Sequence, residues 1–114
     1  MRIWHEKLIP HLCQKHLCGL WREGLGCIQI VLNKKKGYSN HPAVKEFQDA
    51  PLYLLDRMLK VREEMLKRGY HPKELVSFEF NPKRESEIVK VWQTLEEQIE
   101  VLKQKGCKCD ISTL

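Results

Sequence analysis

Apolar side chains recur along the chain at intervals of three and four residues, a pattern typical of amphipathic helices. The first such segment follows Pro10, a residue suited to the first turn of a helix. Its predicted buried stripe is Leu12, Leu17, Leu20 and Trp21. Residues 1–9 are expected to be extended or loosely turned, with Ile3 and Trp4 as apolar anchors.

The apolar run from Cys27 to Leu32 has no clear period. A strand and a buried continuation of the first helix are both compatible with it. We favour the helix, because no partner strand is evident elsewhere. The preceding Gly24-Leu25-Gly26 weakens a helix or permits close approach by another backbone.

The remainder of the chain contains three further helical patterns. A short helix is predicted over residues 43–48, with Val44 and Phe47 facing inward. A longer helix begins at Pro51 and ends before Gly69; its predicted stripe is Leu52, Leu55, Leu59, Arg62 and Leu66, widened by Met58 and Met65. The last begins with Asn81 as N-cap and ends at Gly106; its predicted stripe is Ile88, Val91, Trp92, Leu95, Ile99 and Leu102.

These patterns predict an all-α fold, a single compact domain over residues 1–114 with three main helices, one short helix and a loose tail at 106–114. No apolar run approaches the ~20 residues that span a bilayer, and the first residues do not resemble a signal peptide. Five cysteines, an odd number, favour reduced thiols. We expect a soluble, cytoplasmic monomer.

The positive charge is concentrated in the first third of the chain. Residues 1–36 contain seven Lys or Arg and two Glu, whereas the remaining residues contain 13 basic and 13 acidic side chains, so this third accounts for the net charge of +5. Such asymmetry indicates an anionic partner, and nucleic acid is the first candidate. The alternative is a basic terminal segment with no ligand.

Histidines and cysteines are frequent in the same segment, at His5, His11, Cys13, His16 and Cys18. Their spacings resemble those of zinc ligands. Residues 13 and 18 would lie about 140° apart around a helix, so the set cannot converge on one ion without breaking that helix. The pair Cys107 and Cys109 adds little. We therefore predict no metal and no organic cofactor, and a metal-binding or thiol-based regulatory protein remains an alternative.

A second candidate chemistry involves an α-amino group and Glu23. An α-amine has a pKa near 8, much lower than that of lysine, and nearby cations lower it further. A neutral amine attacks electrophilic carbon to form a Schiff base, and a carboxylate must shuttle the proton. Glu23 is the only acid between Lys7 and Glu46. The alternative is that Glu23 merely pairs with Arg22 or Lys15.

Four stretches occur in a recognisable order: MRIWHEKLIP, the segment from His16-Leu17 to Arg22-Glu23, NHPAVKEFQDAP and LKRGYHP. Together they resemble the pyrimidine-dimer DNA glycosylase family of the phage endonuclease V type, and most of all its short bacterial members. The resemblance covers roughly residues 1–75. It implies a compact helical domain acting on double-stranded DNA that contains a damaged or abasic site.

In that family the N-terminal α-amine attacks C1′ of the damaged nucleotide, releases the base and forms an imine, after which β-elimination nicks the strand. The resemblance assigns catalysis to Met1 and Glu23. It assigns DNA binding to Arg2, His16 and Arg22, and Lys15 lies on the same basic side of the helix.

The chain departs from the family pattern at three points. Arg2 is too large for removal of the initiator methionine, so the amine of Met1 itself is the expected nucleophile. Gly26 replaces a family arginine. The aromatic and basic carboxy-terminal segment is missing, and Lys34–Lys36 are candidates to supply some phosphate contacts. These departures leave open a module that binds nucleic acid without catalysis.

Overall fold

A computed structural model of the chain describes residues 2–33, 41–73, 75, 89 and 91–111. A 3-10 helix, Glu6–His11, is followed by four α-helices: α1, Gln14–Asn33; α2, Pro42–Phe47; α3, Pro51–Lys67; and α4, Leu95–Lys105. The predicted all-α fold, with three main helices and one short one, is confirmed. Met1, Lys34–Lys36 and the predicted N-cap Asn81 lie outside the described residues.

The long helix α1 forms the centre of the core. Its side chains Leu17, Leu20 and Ile28 are at most 2% exposed, and it packs chiefly against α3. The run from Cys27 is helical, as favoured from the sequence, because Cys27 and Ile28 are buried in the helical core and need no partner strand. Within the described residues, no helix is long and apolar enough to cross a membrane.

Close contact between α1 and α3 occurs at Gly24. A Cβ added at Gly24 would lie 2.1 Å from the sulfur of Met58, whose side chain is fully buried. The glycine therefore permits close packing without interrupting the helix. Gly26 lies on the same helix, and a Cβ there would meet no atom within 4 Å.

We expect opposite effects from alanine at these two glycines. Gly26→Ala should stabilise the protein by up to about 1 kcal/mol, because alanine has the higher helix propensity and the space is open. Gly24→Ala should destabilise it by about 1–3 kcal/mol, since Met58 must be displaced within a closed core. Urea denaturation of both variants measures the difference. Equal stabilisation by both changes would contradict the packing described.

The stripe predicted on α3 was right for Met58 and Met65 and wrong for Leu59 and Leu66. The buried side chains are those of Leu54, Met58, Val61 and Met65, whereas Leu59 and Leu66 are about half exposed. Both sets have helical spacing, and so the pattern alone does not choose between them. The packing of α3 against α1, where Met58 approaches Gly24, buries Leu54 and Val61 rather than Leu59 and Leu66.

The predicted start of the last helix was also wrong. Thr94 caps α4: its hydroxyl accepts a hydrogen bond from Glu97 N, and the Glu97 carboxylate accepts one from Thr94 N. This capping box fixes the first turn. Val91 and Trp92 therefore precede the helix, and Val91 is 66% exposed.

Residues 106–111 form no loose tail. Cys107, Cys109 and Ile111 pack against the core. Asp110 N donates a hydrogen bond to His11 O, and His11 Nδ1 lies 2.6 Å from Asp110 O. The end of the described chain is thereby joined to the 3-10 helix near its beginning.

Candidate active site

A cleft of about 370 Å³ lies between α1 and residues 2–5, which form the amino-terminal segment before the 3-10 helix. Helix α1 supplies one wall, because residues spaced by three and four positions share a helix face; these are Lys15, His16, Gly19, Leu20, Arg22 and Glu23. The other lining residues are Arg2, Trp4, His41, Trp92 and Lys105. Among the described residues of the lining, Glu23 is the only acid, and four side chains are Lys or Arg.

The amino-terminal segment contacts the catalytic candidate Glu23 directly. The backbone N–H of Arg2 donates a hydrogen bond of 2.7 Å to Glu23 Oε2. This hydrogen bond is charge-assisted, which makes it stronger than a bond between neutral groups. The carboxylate of Glu23 is therefore held at the very start of the described chain.

The Arg2 side chain is held between two indole rings. Its guanidinium carbon lies 4.9 Å from the Trp92 ring centre and 5.5 Å from that of Trp4. A hydrogen bond from Arg2 Nη1 to Gln93 Oε1 fixes it further. These contacts orient the positive charge on the cleft wall.

Hydrogen bonds from α3 and α4 hold the amino-terminal segment in place. Arg57 Nη1 donates to Trp4 O over 3.1 Å, and His5 N donates to Gln98 Oε1 over 2.7 Å. The amide of Gln98 in turn donates to Gln93 O. The segment is thus extended and held by several hydrogen bonds. Two of its hydrogen-bond partners, Gln93 and Gln98, come from beyond position 90.

A buried carboxylate places Trp92. Glu46 on α2 accepts a hydrogen bond of 2.9 Å from Trp92 N. Burial raises the pKa of Glu46, although Trp92 N and Arg57 oppose the shift. Because α2 also carries His41 at its N-cap, it positions two lining residues at once.

Two histidines cap helices as neutral rings. His41 Nδ1 accepts from Ala43 N at the start of α2, and His5 Nδ1 accepts from Lys7 N at the start of the 3-10 helix. Burial lowers the pKa of both rings, and positive neighbours, Arg57 for His5 and Arg2 for His41, lower it further. A protonated ring loses its acceptor and opposes the helix dipole.

These shifts predict that stability falls in mild acid. Since both folded-state pKa values lie below 6.5, the unfolded chain binds more protons at low pH. The stabilisation is complete above pH 6.5 and is lost as the pH falls below it. Urea denaturation between pH 7.5 and 5 should show this loss.

A double variant, His5→Asn and His41→Asn, provides the control. Asparagine retains an N-cap acceptor that does not titrate. The loss of stability in acid should become smaller, while contributions from Glu6 and Glu46 remain common to both proteins. An identical pH dependence in the two proteins would contradict this role of the histidines.

The structure brings together five of the six site residues predicted from sequence. Arg2, Lys15, His16, Arg22 and Glu23 all line the cleft, whereas Met1 lies outside the described residues. Burial, Lys105 and Lys15 lower the pKa of His16, so this residue contributes a neutral ring near pH 7.

Six lining residues were not assigned to a site from sequence, and three of them lie outside α1 and the first five residues: His41, Trp92 and Lys105. His41 belongs to the stretch NHPAVKEFQDAP, which provided a usable signal. Trp92 was assigned to a helical stripe, and no local signal indicated Lys105. Both come from the far end of the chain, which only the folded structure brings to the cleft.

Beside the cleft, His16 meets cysteines from both ends of the chain. The potential ligand atoms of Cys13, His16, Cys107 and Cys109 all lie within 4.8 Å of one another. This is not the set considered from sequence, since His11 contacts Asp110 O instead. The prediction that Cys107 and Cys109 add little to a metal site was therefore wrong, because the fold places both thiols beside Cys13 and His16.

The comparisons with known proteins identify the relationship. The family model described as pyrimidine dimer DNA glycosylase matches residues 1–78, more than half of the chain. No curated protein and no solved structure gave a match. The matched range includes α1, α2, α3 and nine of the eleven residues lining the cleft. On this basis the chain belongs to the pyrimidine dimer DNA glycosylase family.

Proposed function

We propose that this protein is a DNA glycosylase with abasic-site lyase activity, acting on pyrimidine dimers or a related lesion in duplex DNA. The observation that carries the proposal is the 2.7 Å hydrogen bond between Arg2 N and Glu23 Oε2 in a cleft rich in cations. The peptide link keeps the α-amino nitrogen of Met1 within about 4 Å of Arg2 N. The amine and the carboxylate can therefore reach the same sugar.

In the proposed reaction, the neutral amine of Met1 attacks C1′ of the damaged nucleotide. The bond from C1′ to the base breaks, and the base leaves with a proton. Opening of the sugar ring gives an imine between C1′ and the amine nitrogen. Glu23 accepts the proton that the amine loses and passes it to the departing base, and a proton from solvent adds to the opened ring oxygen. Glu23 is then a carboxylate again, and its negative charge stabilises the cationic imine.

Strand cleavage then follows by β-elimination. A base removes a proton from C2′, electrons move toward the imine, and the 3′ phosphate leaves. Glu23 is the candidate base, since no other described lining residue is acidic. Water hydrolyses the remaining imine and regenerates the free amine, so that no metal or organic cofactor is needed.

The surrounding charges suit a DNA backbone. Lys15 and Arg22 are exposed on α1 beside Glu23, and Lys105 faces the same cleft from α4. We assign phosphate contacts to these cations and to Arg2, whose charge is already oriented by the indole rings. His16, as a neutral ring, supplies a hydrogen bond rather than a charge.

The experiment uses duplexes with one cis-syn thymine dimer, one abasic site, or no damage. We expect strand cleavage at both lesions and a covalent complex when borohydride reduces the imine. Undamaged duplex should give neither product. Cleavage of the dimer only after hot alkali would separate base release from lyase activity.

Binding without catalysis is the principal alternative outcome. A module that retained the fold and lost the chemistry would bind DNA with affinity falling steeply as salt rises. It would give no trapped complex and no cleavage at either lesion. That combination would overturn the proposed activity.

A further inference from the structure

Three cysteines and one histidine from opposite ends of the chain converge beside the cleft. His16 Nδ1 lies 3.1 Å from Cys13 Sγ and 3.3 Å from Cys109 Sγ. Cys107 Sγ joins them, and all four ligand atoms are within 4.8 Å of one another. Cys13 and Cys109 are 96 positions apart in sequence, so the tertiary fold creates the cluster.

The separations suit a tetrahedral metal ion. Zinc bonds of about 2.3 Å to sulfur and 2.0–2.1 Å to nitrogen require ligand atoms roughly 3.5–3.8 Å apart. The described atoms are spaced around that value, so small side-chain rotations would complete the geometry. Three sulfurs and one imidazole nitrogen form a donor set typical of structural zinc sites.

From this convergence we infer that Cys13, His16, Cys107 and Cys109 bind one Zn²⁺ ion as a structural Cys₃His site. Three thiolates and the divalent ion leave a net charge of −1. Lys15, Lys105 and Lys108 line the adjoining cavity and offset it.

The local backbone also suits a metal thiolate. Cys13 N donates a hydrogen bond of 3.1 Å to Cys109 Sγ, and ligand sulfurs in metal sites usually accept such bonds. A metal ion accounts for the proximity of all three thiols and the imidazole ring. A disulfide would join only two of the sulfurs and leave the other two ligands without a function. The remaining thiols, Cys18 and Cys27, lie outside the cluster.

The site would tie the end of the chain to the start of α1. Helix α4 packs less extensively against the other helices than they do among themselves, so an anchor immediately after it has a clear structural use. With Nδ1 bound to zinc, neutral His16 carries its proton on Nε2 and can only donate there. Because His16 and Lys105 line both this cavity and the cleft, the metal would also position the DNA-facing wall.

The test is the metal content of reduced, full-length protein purified without a histidine tag. Elemental mass spectrometry should find about one zinc ion per chain. After removal by a chelator, Co²⁺ should restore a spectrum with sulfur-to-metal charge transfer and tetrahedral d–d bands. Cys107→Ala and Cys109→Ala should each lower zinc affinity at least about tenfold, while Cys18→Ala should retain wild-type affinity.

Wild-type protein alone is sufficient to refute the site, whatever the folding of the variants. Less than about 0.1 zinc per chain, with no uptake of Zn²⁺ or Co²⁺ by the chelator-treated protein, would overturn it. Equal zinc binding by wild type and Cys109→Ala would overturn it as well, since the ion would then lie elsewhere. These measurements do not depend on DNA cleavage.

Discussion

Glu23→Gln is expected to reduce strand cleavage at an abasic site by roughly 10²–10⁴-fold, the usual contribution of a positioned acid or base. The amide can still accept the hydrogen bond from Arg2 N, so the segment should keep its place. The substitution removes only the charge and the proton-accepting capacity. Single-turnover cleavage of an abasic-site duplex is the measurement.

Two controls accompany this variant. Glu100→Gln changes an exposed acid of α4 that does not line the cleft, and its cleavage rate should match that of the wild type. DNA binding by Glu23→Gln should be retained or strengthened, because a negative charge is lost from a cationic cleft. Cleavage by Glu23→Gln within threefold of the wild type would exclude Glu23 as the acid or base.

Extension of the amino terminus by Gly-Ser-Gly is expected to reduce imine formation by at least about 10²-fold. Three residues move the α-amine by up to about 10 Å from its position beside Arg2. A lysine is a poor substitute: near pH 7 roughly a tenth of an α-amine is neutral, against less than about 0.1% of a lysine. Borohydride trapping on abasic-site DNA measures the loss.

The matched control carries the same three residues at the carboxyl end. That protein should form the trapped complex at the wild-type rate, because its amino terminus is unchanged. Undiminished trapping by the amino-terminal extension would mean that another nitrogen is the nucleophile.

Much of the cleft could be predicted because it is built from one helix. His16 and Glu23 are seven residues apart, so any helix places them on the same face. Once α1 is assigned, Lys15 and Arg22 follow as neighbours on the exposed side. The family resemblance then connected this face with the amino terminus.

The other wall could not be predicted because it depends on long-range contacts. Trp92 is placed by Glu46, and the amino-terminal segment by Gln98 and Arg57. None of these pairings has a local sequence signal. The same limit applies to α3, where two stripes have helical spacing and tertiary packing buries Leu54 and Val61 rather than Leu59 and Leu66.

The cysteine cluster shows a different limitation. Cys13 and His16 are separated by three positions at the start of α1, a spacing that brings two ligands together. The spacings that suggested a metal site in the sequence joined residues 5–18 only, and the pair Cys107 and Cys109 was expected to add little. The other two ligands, Cys107 and Cys109, belong to a segment that was expected to be loose. The four potential ligands therefore come together only in the folded chain.

The most direct test of the central proposal is to locate the covalent bond. The complex with abasic-site duplex is reduced with borohydride, digested with protease and nuclease, and mapped by tandem mass spectrometry. We predict the sugar remnant on the α-amino nitrogen of the amino-terminal peptide. A remnant on Lys15 or Lys105, the lysines that line the cleft, or no adduct at all, would contradict the account.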